Sequence, residues 1–332
     1  MKNDKMKAYV VEQVEPKKFI SSIQEVDIPT ITQDEVLICS SHSSLNYKDA
    51  LSSVGNPGVS RNFPHITGID VAGTITQTNS KEFNIGDKVV VTGYDLGMNT
   101  KGGHSQYVKV PAAWVVKLPD GLSQKQSMIY GTAGFTASLC VDALLANGIK
   151  NGKILVSGAT GGVGSISITI LSKLGFEPIA ITSKKEKIPF LKSIGAIEVL
   201  LTGDMDTQNK KPLLSEQYDG MIDTLGGDIL AHSLKAIRYD GVVACCGIAA
   251  SFELHTTMFA FILRAVKLIG IDSVQCPIEK KRAVWHKIAS EFRIDDNILE
   301  NLTTHIELED IKPIYDKMLS GQITGRYLVN IS

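Results

Sequence analysis

The chain has 332 residues, 34 Lys and Arg against 35 Asp and Glu, 43% hydrophobic residues and 21% charged ones. A formal charge of −1 gives no electrostatic reason to expect nucleic acid or an anionic membrane surface as a partner, and the apolar fraction excludes a disordered chain. The length exceeds one ordinary core and suits two domains of roughly 100–200 residues each.

Met1 to Lys7 is polar and lysine-rich with no apolar segment behind it, which does not fit a signal peptide. The longest uncharged run, Ile154 to Ser172, is punctuated by Gly158, Gly161, Gly162 and Gly164, and no membrane span is expected. The cysteines, Cys39, Cys140, Cys245, Cys246 and Cys276, are odd in number and lack zinc-type spacing, as expected of reduced intracellular thiols. A cytoplasmic protein is the expectation.

From Met6 to about Pro119 short β-branched runs alternate with turn residues: Ala8 to Val11, Val36 to Ser40, Asp70 to Thr76, Lys88 to Thr92 and Tyr107 to Pro111. These predict a compact β-rich domain. After Gly121 the rhythm becomes that of βαβ units on a parallel sheet. Strands are expected at Lys153 to Ser157, Glu177 to Thr182, Ile197 to Leu201, Gly220 to Asp223 and Val242 to Cys246, with helices at Val163 to Leu174 and Ile229 to Ile237. This is the element order of a Rossmann-like, doubly wound α/β domain. From about Ser273 helical patterns near Ala283 to Phe292 and Ile311 to Leu319 precede a closing strand, Gly325 to Ile331. The expected division is residues 1–123 with 270–332 in the β-rich domain and 124–269 in the nucleotide-binding domain.

In Val156-Ser157-Gly158-Ala159-Thr160-Gly161-Gly162-Val163-Gly164 an apolar strand meets a glycine turn, and an apolar helix follows. Gly161 and Gly162 let a pyrophosphate approach the backbone, Gly164 lets the helix pack against the sheet, and the helix start offers free N–H groups. Thr160, Gly161, Gly162 and Val163 are therefore candidate cofactor residues. No Gly-Lys-Ser/Thr follows, which disfavours a P-loop. About twenty residues on, an NAD site places Asp or Glu, whereas this chain reads Thr182-Ser183-Lys184-Lys185. Ser183 and Lys184 suit a ribose 2′-phosphate that an acid would repel, so NADPH is preferred over NADH. The competing reading is that the lysines solvate a helix start, with Glu186 beside them. Gly247 and Ile248, at a strand end, are expected to line the cofactor.

Four separated motifs carry a resemblance over essentially the whole chain: Asn46-Tyr47-Lys48-Asp49, Gly68-Ile69-Asp70-Val71-Ala72-Gly73, Gly131-Thr132-Ala133-Gly134-Phe135-Thr136-Ala137, and Phe261-Ile262-Leu263-Arg264 with Gly270-Ile271-Asp272-Ser273-Val274. The sequence resembles the YhdH/YhfP-type quinone oxidoreductases, relatives of acryloyl-CoA reductase, in the medium-chain dehydrogenase/reductase superfamily. That resemblance implies a GroES-like catalytic domain beside the Rossmann-like one. It implies roles for Asn46, Tyr47 and Asp49 in catalysis and for Tyr47, Ile262 and Ser273 at the cofactor. Arg264 either approaches the cleft or caps its own helix.

Zinc alcohol dehydrogenases of the superfamily carry a ligand Cys where this chain has Asn46, and Gly-His-Glu where it has Gly68-Ile69-Asp70. Both ligand positions are lost, and scattered His42, His65 and His104 show no ligand spacing, so no metal is expected. Without a metal, hydride delivery to a conjugated acceptor (a quinone, enone or acrylyl-CoA-type thioester) is the economical chemistry, because the enolate needs only modest stabilisation. Tyr47 is then either a hydrogen-bond or proton donor or simply a packed aromatic. Asn46 positions the nicotinamide ribose or the substrate oxygen, and Asp49 pairs with Lys48 to fix the loop. The strand-like Leu268 to Val274 is expected at a sheet edge, where pairing with a second copy makes a homodimer. A catalytically silent nucleotide-binding regulatory protein of the same fold is the rival reading.

Overall fold

In a computed structural model that describes residues 4–331, the chain forms two compact units. The first takes in residues up to Thr132, then 273–290, and then from Leu299 onward; the second holds 133–272 and 291–298. In chain order the first contains β1 (Lys5–Glu15), β2 (Lys18–Asp27), β3 (Glu35–Ser44), α1 (Tyr47–Ser53), β4 (His65–Ile66), β5 (Asp70–Thr78), β6 (Lys88–Thr92), β7 (Tyr107–Pro111) and β8 (Val116–Lys117). Helix α2 (Gln124–Ala146) runs on into the second unit, which contains β9 (Lys153–Val156), α3 (Gly162–Lys173), β10 (Glu177–Thr182), α4 (Ile188–Ser193) and β11 (Glu198–Leu201). It continues through β12 (Tyr218–Asp223), α5 (Gly227–Leu234), β13 (Ile237–Cys245), α6 (Phe259–Arg264) and β14 (Lys267–Gly270). The chain closes with α7 (Ile278–Ala289), α8 (Asp296–Asn301), β15 (Thr303–Glu307), α9 (Ile311–Leu319) and β16 (Arg326–Asn330).

The first unit is built mainly on antiparallel pairing, with β15 and β16 paired in parallel. Its larger sheet runs β15-β16-β3-β5-β6-β8, with β7 also on β3. Alternate residues of its strands, Val36 and Ile38, Val71 and Ile75, Val89 and Val91, Val108 and Val110, are buried in one cluster. Side chains at period two line this cluster, and the intervening Leu37, Ala72 and Val90 are buried as well, so both faces of these strands are covered. Strand β16 pairs with β3 through Leu328↔Ser44, which brings the C-terminal strand to the start of α1.

The second unit has a six-stranded, all-parallel sheet in the order β11-β10-β9-β12-β13-β14. Numbered within the unit, this is 3-2-1-4-5-6, the doubly wound order in which ligands sit beyond the carboxyl ends at the point where the strand order reverses. Here that point lies between β9 and β12, so the glycine turn after β9 and the loop after β12 stand side by side. Leu155, Ile179, Ile181, Met221 and Val243 fill the core beneath them.

Several sequence expectations shift. Helix α5 ends at Leu234, and Ile237, expected to be helical, opens β13. The exposed Arg238, Tyr239 and Asp240 hide that strand from a hydrophobic pattern, and Arg238 pairs with Asp219 at 2.9 Å instead. The edge strand β14 stops at Gly270 rather than reaching Val274. Residues 291–298 belong with the nucleotide-binding unit. Helix α2 is long and apolar enough to cross a membrane by length and composition, yet 78% of its most apolar window is buried inside the protein, the position of a core helix.

Candidate functional site

In the second unit the glycine turn is open for an anion. Gly161 caps α3 without any side-chain hydrogen bond to the helix start. The first-turn N–H groups of Gly162, Val163 and Gly164 have no carbonyl one turn back to bond, and they add to the positive end of the helix dipole. Gly164 is needed for packing: a Cβ there would lie 2.5 Å from the Gly158 carbonyl oxygen. Thr160 is buried, whereas Gly161, Gly162 and Val163 are partly exposed. The turn is braced from below by the buried Asp223 at the end of β12. It accepts from the Ser157 hydroxyl at 2.7 Å and from the N–H groups of Leu225 and Gly226 at 3.3 and 2.9 Å. One carboxylate therefore ties together the two loops at the strand-order reversal.

Ser183 is exposed just beyond β10, with Lys184 half-buried beside it. Burial and the neighbouring Lys187 hold the Lys184 ammonium below its ordinary value, Glu186 opposing them, so an incoming anion relieves an unfavourable charge. Gly247 follows β13 so tightly that a Cβ would meet the Thr224 carbonyl at 2.2 Å. Ile248 and Ile262 are each 71% exposed, unusual for isoleucine. Ser273 falls in the first unit, with its carbonyl 3.1 Å from where a Gly93 Cβ would stand. Arg264 does not cap its own helix. It donates to the carbonyls of Lys235 (2.8 Å), Ile237 (3.1 Å) and Leu214 and pairs with Glu216, a packing role.

In the first unit the motif residues converge at the start of α1. Asn46 is the N-cap; it is 8% exposed and donates its side-chain amide to Asp70 Oδ2 at 2.7 Å. Tyr47, the first helical residue, is 51% exposed. Asp49 corrects the sequence expectation of a catalytic role. It is fully buried, and its carboxylate accepts from the backbone N–H groups of Asn46 (2.8 Å), Gly68 (3.2 Å) and Ile69 (2.9 Å). A carboxylate so enclosed cannot meet a substrate; it anchors the loop through backbone donors. Burial and the nearby Asp70 push its pKa up to about 7.

Sequence reasoning passed over the residues that organise this cluster. Asp70 also accepts from the Ser44 hydroxyl (2.6 Å) and from the Thr132 N–H and hydroxyl (2.8 and 2.5 Å). Buried Arg326 donates to Ser44 Oγ (2.9 Å) and to the carbonyls of Ile129 and Leu45 (2.8 and 3.2 Å). Gly131 breaks α2 at φ 50°, ψ −156°; a Cβ there would lie 2.4 to 2.7 Å from Ser44 Oγ, Asp70 Oδ2 and Arg326 Nη2. The signal was present in Gly68-Ile69-Asp70 and Gly131-Thr132, but Arg326, which joins the cluster through Ser44 Oγ, lies 282 residues from Ser44 in sequence.

Among the described residues no group of three or more His, Cys, Asp or Glu side chains is placed to hold a metal ion. Two of the buried histidines are held by structural partners. His65 Nε2 meets the Gly97 carbonyl at 2.8 Å, while His104 Nε2 faces the Ser44 carbonyl at 3.4 Å and Nδ1 the hydroxyls of Thr67 (2.9 Å) and Tyr315 (3.1 Å). Burial depresses His104 to about 3. An unfolded histidine titrates near 6.5, so the unfolded chain binds the extra proton first, and this residue's contribution to stability is lost as pH falls from about 6.5 toward about 3. Urea unfolding at about pH 7 and about pH 5 should show a drop that His104→Gln reduces.

Two family descriptions match the chain: "Alcohol dehydrogenase GroES-like domain" over residues 32–120 and "Zinc-binding dehydrogenase" over residues 162–290. The second covers mainly the nucleotide-binding unit, where no ligand set occurs among the described residues. Bacillus subtilis YhfP, which carries a quinone-oxidoreductase name, is 40% identical over 94% of each chain. Its crystal structure with NAD bound superposes with a TM-score of 0.95, covering 99% of this chain and 100% of that one. Acrylyl-CoA reductase AcuI of Ruegeria pomeroyi is 38% identical over 98% of this chain and 99% of its own. Escherichia coli YhdH, crystallised with bound NADPH, gives a TM-score of 0.93 at 38% identity, covering 98% of this chain and 100% of that one. With two-unit architecture, glycine turn and Asn-Tyr cap all in place, the chain belongs to the YhdH/YhfP/AcuI family of quinone oxidoreductases and acrylyl-CoA reductases, within the medium-chain dehydrogenase/reductase superfamily.

Proposed function

We propose that the protein is a zinc-independent, NADPH-dependent reductase of conjugated acceptors: quinones, enones or acrylyl-CoA-type thioesters. The observation that carries this reading is the side chain at position 46. An alcohol dehydrogenase needs a metal ligand there, and this chain has an asparagine whose amide is hydrogen-bonded to Asp70. Polarisation of an acceptor oxygen then falls to hydrogen-bond donors, which suffices for an enolate stabilised by conjugation. The relatives' names and bound cofactors agree with this chemistry and give no support to a silent regulatory protein.

The uncapped start of α3 fits a pyrophosphate, and Ser183 and Lys184 fit a 2′-phosphate. NADPH, when bound, supplies the hydride. Exposed Tyr47 is the candidate donor to the acceptor oxygen or α-carbon, and Asn46 sets its place at the helix start. Charged hydrogen bonds are worth about 1.5–3 kcal/mol. Lys184→Ala should therefore weaken NADPH about 10- to 100-fold while leaving NADH nearly unchanged; equal losses for both would refute the 2′-phosphate assignment.

A cytoplasmic homodimer completes the proposal. Strand β14 is a sheet edge, and Leu268 on it is exposed, as are Met258, Phe259, Ile262 and Leu263 nearby in sequence. An edge with apolar neighbours is suited to pairing with a second copy. Light scattering that gives the monomer mass would remove this part. The functional proposal is tested by following NADPH oxidation with acryloyl-CoA, a simple enone and a quinone.

A further inference from the structure

We infer that Asp70 is the positioning residue of the site, a buried carboxylate that fixes Asn46, and through it Tyr47, where a metal would otherwise organise the chemistry. This rests on the reading of Tyr47 as the donor. Asp70 is fully buried and accepts four hydrogen bonds, from Ser44 Oγ, Asn46 Nδ2, Thr132 N and Thr132 Oγ1. Oδ2 takes three of these and Oδ1 the Thr132 hydroxyl, and a carboxylate accepts at both oxygens and donates at neither. Two consequences follow for Asn46. Its amide must present nitrogen to Asp70, which removes the usual ambiguity of amide orientation and turns Oδ1 away. The amide also cannot rotate without breaking a bond to a buried anion.

The carboxylate is itself held. Ser44 donates its hydroxyl hydrogen to Asp70 and accepts from Arg326 Nη2 at 2.9 Å, so the guanidinium charge reaches the carboxylate through one hydroxyl. Asp49 fixes the same N-cap from its backbone side, accepting the Asn46 N–H at 2.8 Å. Side chain and main chain of residue 46 are thus pinned by two different carboxylates. Tyr47, the next residue and the first of the helix, inherits a fixed origin although its own ring is exposed. Misplacement by about 1 Å costs on the order of 10²-fold in rate, which is the scale expected when this origin is loosened.

The test is Asp70→Asn, close to isosteric, with four readouts: kcat, acceptor KM, NADPH affinity by fluorescence titration, and melting temperature. The expected result is kcat lower by about 10²-fold with NADPH affinity and KM little changed. Unchanged kcat in Asp70→Asn overturns the inference. Should Asp70→Asn fail to fold, Thr132→Val removes a single donor: lower kcat at unchanged NADPH affinity supports the inference, and unchanged kcat overturns it. Tyr47→Phe run in parallel separates the two claims. Normal turnover in Tyr47→Phe sinks the donor reading, whereas slow Tyr47→Phe beside normal Asp70→Asn sinks the positioning role alone.

Discussion

Arg326→Leu is expected to destabilise the β-rich unit by about 3–5 kcal/mol, the cost of breaking a buried ionic network from one side. Arg326 is 3% exposed. Its removal leaves the Ile129 and Leu45 carbonyls and Ser44 Oγ without their donor. It also takes away the positive charge near Asp70 and Asp49, two fully buried carboxylates that burial alone makes costly. Leucine supplies volume but no hydrogen bond, so the loss is electrostatic rather than a cavity. Both tryptophans, Trp114 and Trp285, lie in this unit. Tryptophan fluorescence in urea therefore reports its unfolding directly, and an unchanged midpoint would show that the network contributes nothing.

Tyr47→Phe carries the second large effect. General acid catalysis by a placed side chain contributes typically about 10²–10⁴-fold, and the substitution deletes one hydroxyl from a half-exposed ring without touching the core. Turnover with the best acceptor should fall within that range. NADPH affinity should hold, because the turn, Ser183 and Lys184 belong to the other unit. A fall in kcat with steady KM identifies an interaction made in the transition state, whereas a rise in KM alone identifies ordinary binding.

Much of this protein was legible in its sequence because local signals were strong. The glycine turn is flanked by a strand and a helix at the expected places, and β5, β6, β7, β9 and β10 all follow β-branched runs. Other elements were hidden for identifiable reasons. Strand β2, Lys18–Asp27, is partly buried and mixed in polarity, so it shows no clear alternation. Helix α2 carries Gly131 and Gly134 in its middle, and its apolar residues surround the axis rather than forming a stripe, as in a helix buried on most sides. The opening of β13 carries exposed polar residues that read as the end of a helix.

At the site, sequence named the residues that the family motif names, Asn46, Tyr47 and Asp49, but not what each does. Within one four-residue motif stand a buried cap, an exposed phenol after it and, past Lys48, an internal anchor. Burial separates those roles, and burial depends on partners far along the chain. Asp70 reaches Asn46, Ser44 and Thr132 across spans of 24, 26 and 62 residues, and Arg326 reaches Ser44 across 282. No local pattern encodes such a closure. Arg264, which looked suggestive on an apolar helix, was settled by three carbonyls from outside that helix.

The central claim, conjugate reduction by NADPH without a metal, is tested most directly by NADPH oxidation in the presence of acryloyl-CoA, an enone or a quinone, with and without a strong zinc chelator. Rapid oxidation with at least one of these acceptors, undiminished by the chelator, is the predicted result. Oxidation of simple alcohols that the chelator abolishes, with no reduction of any conjugated acceptor, would contradict it.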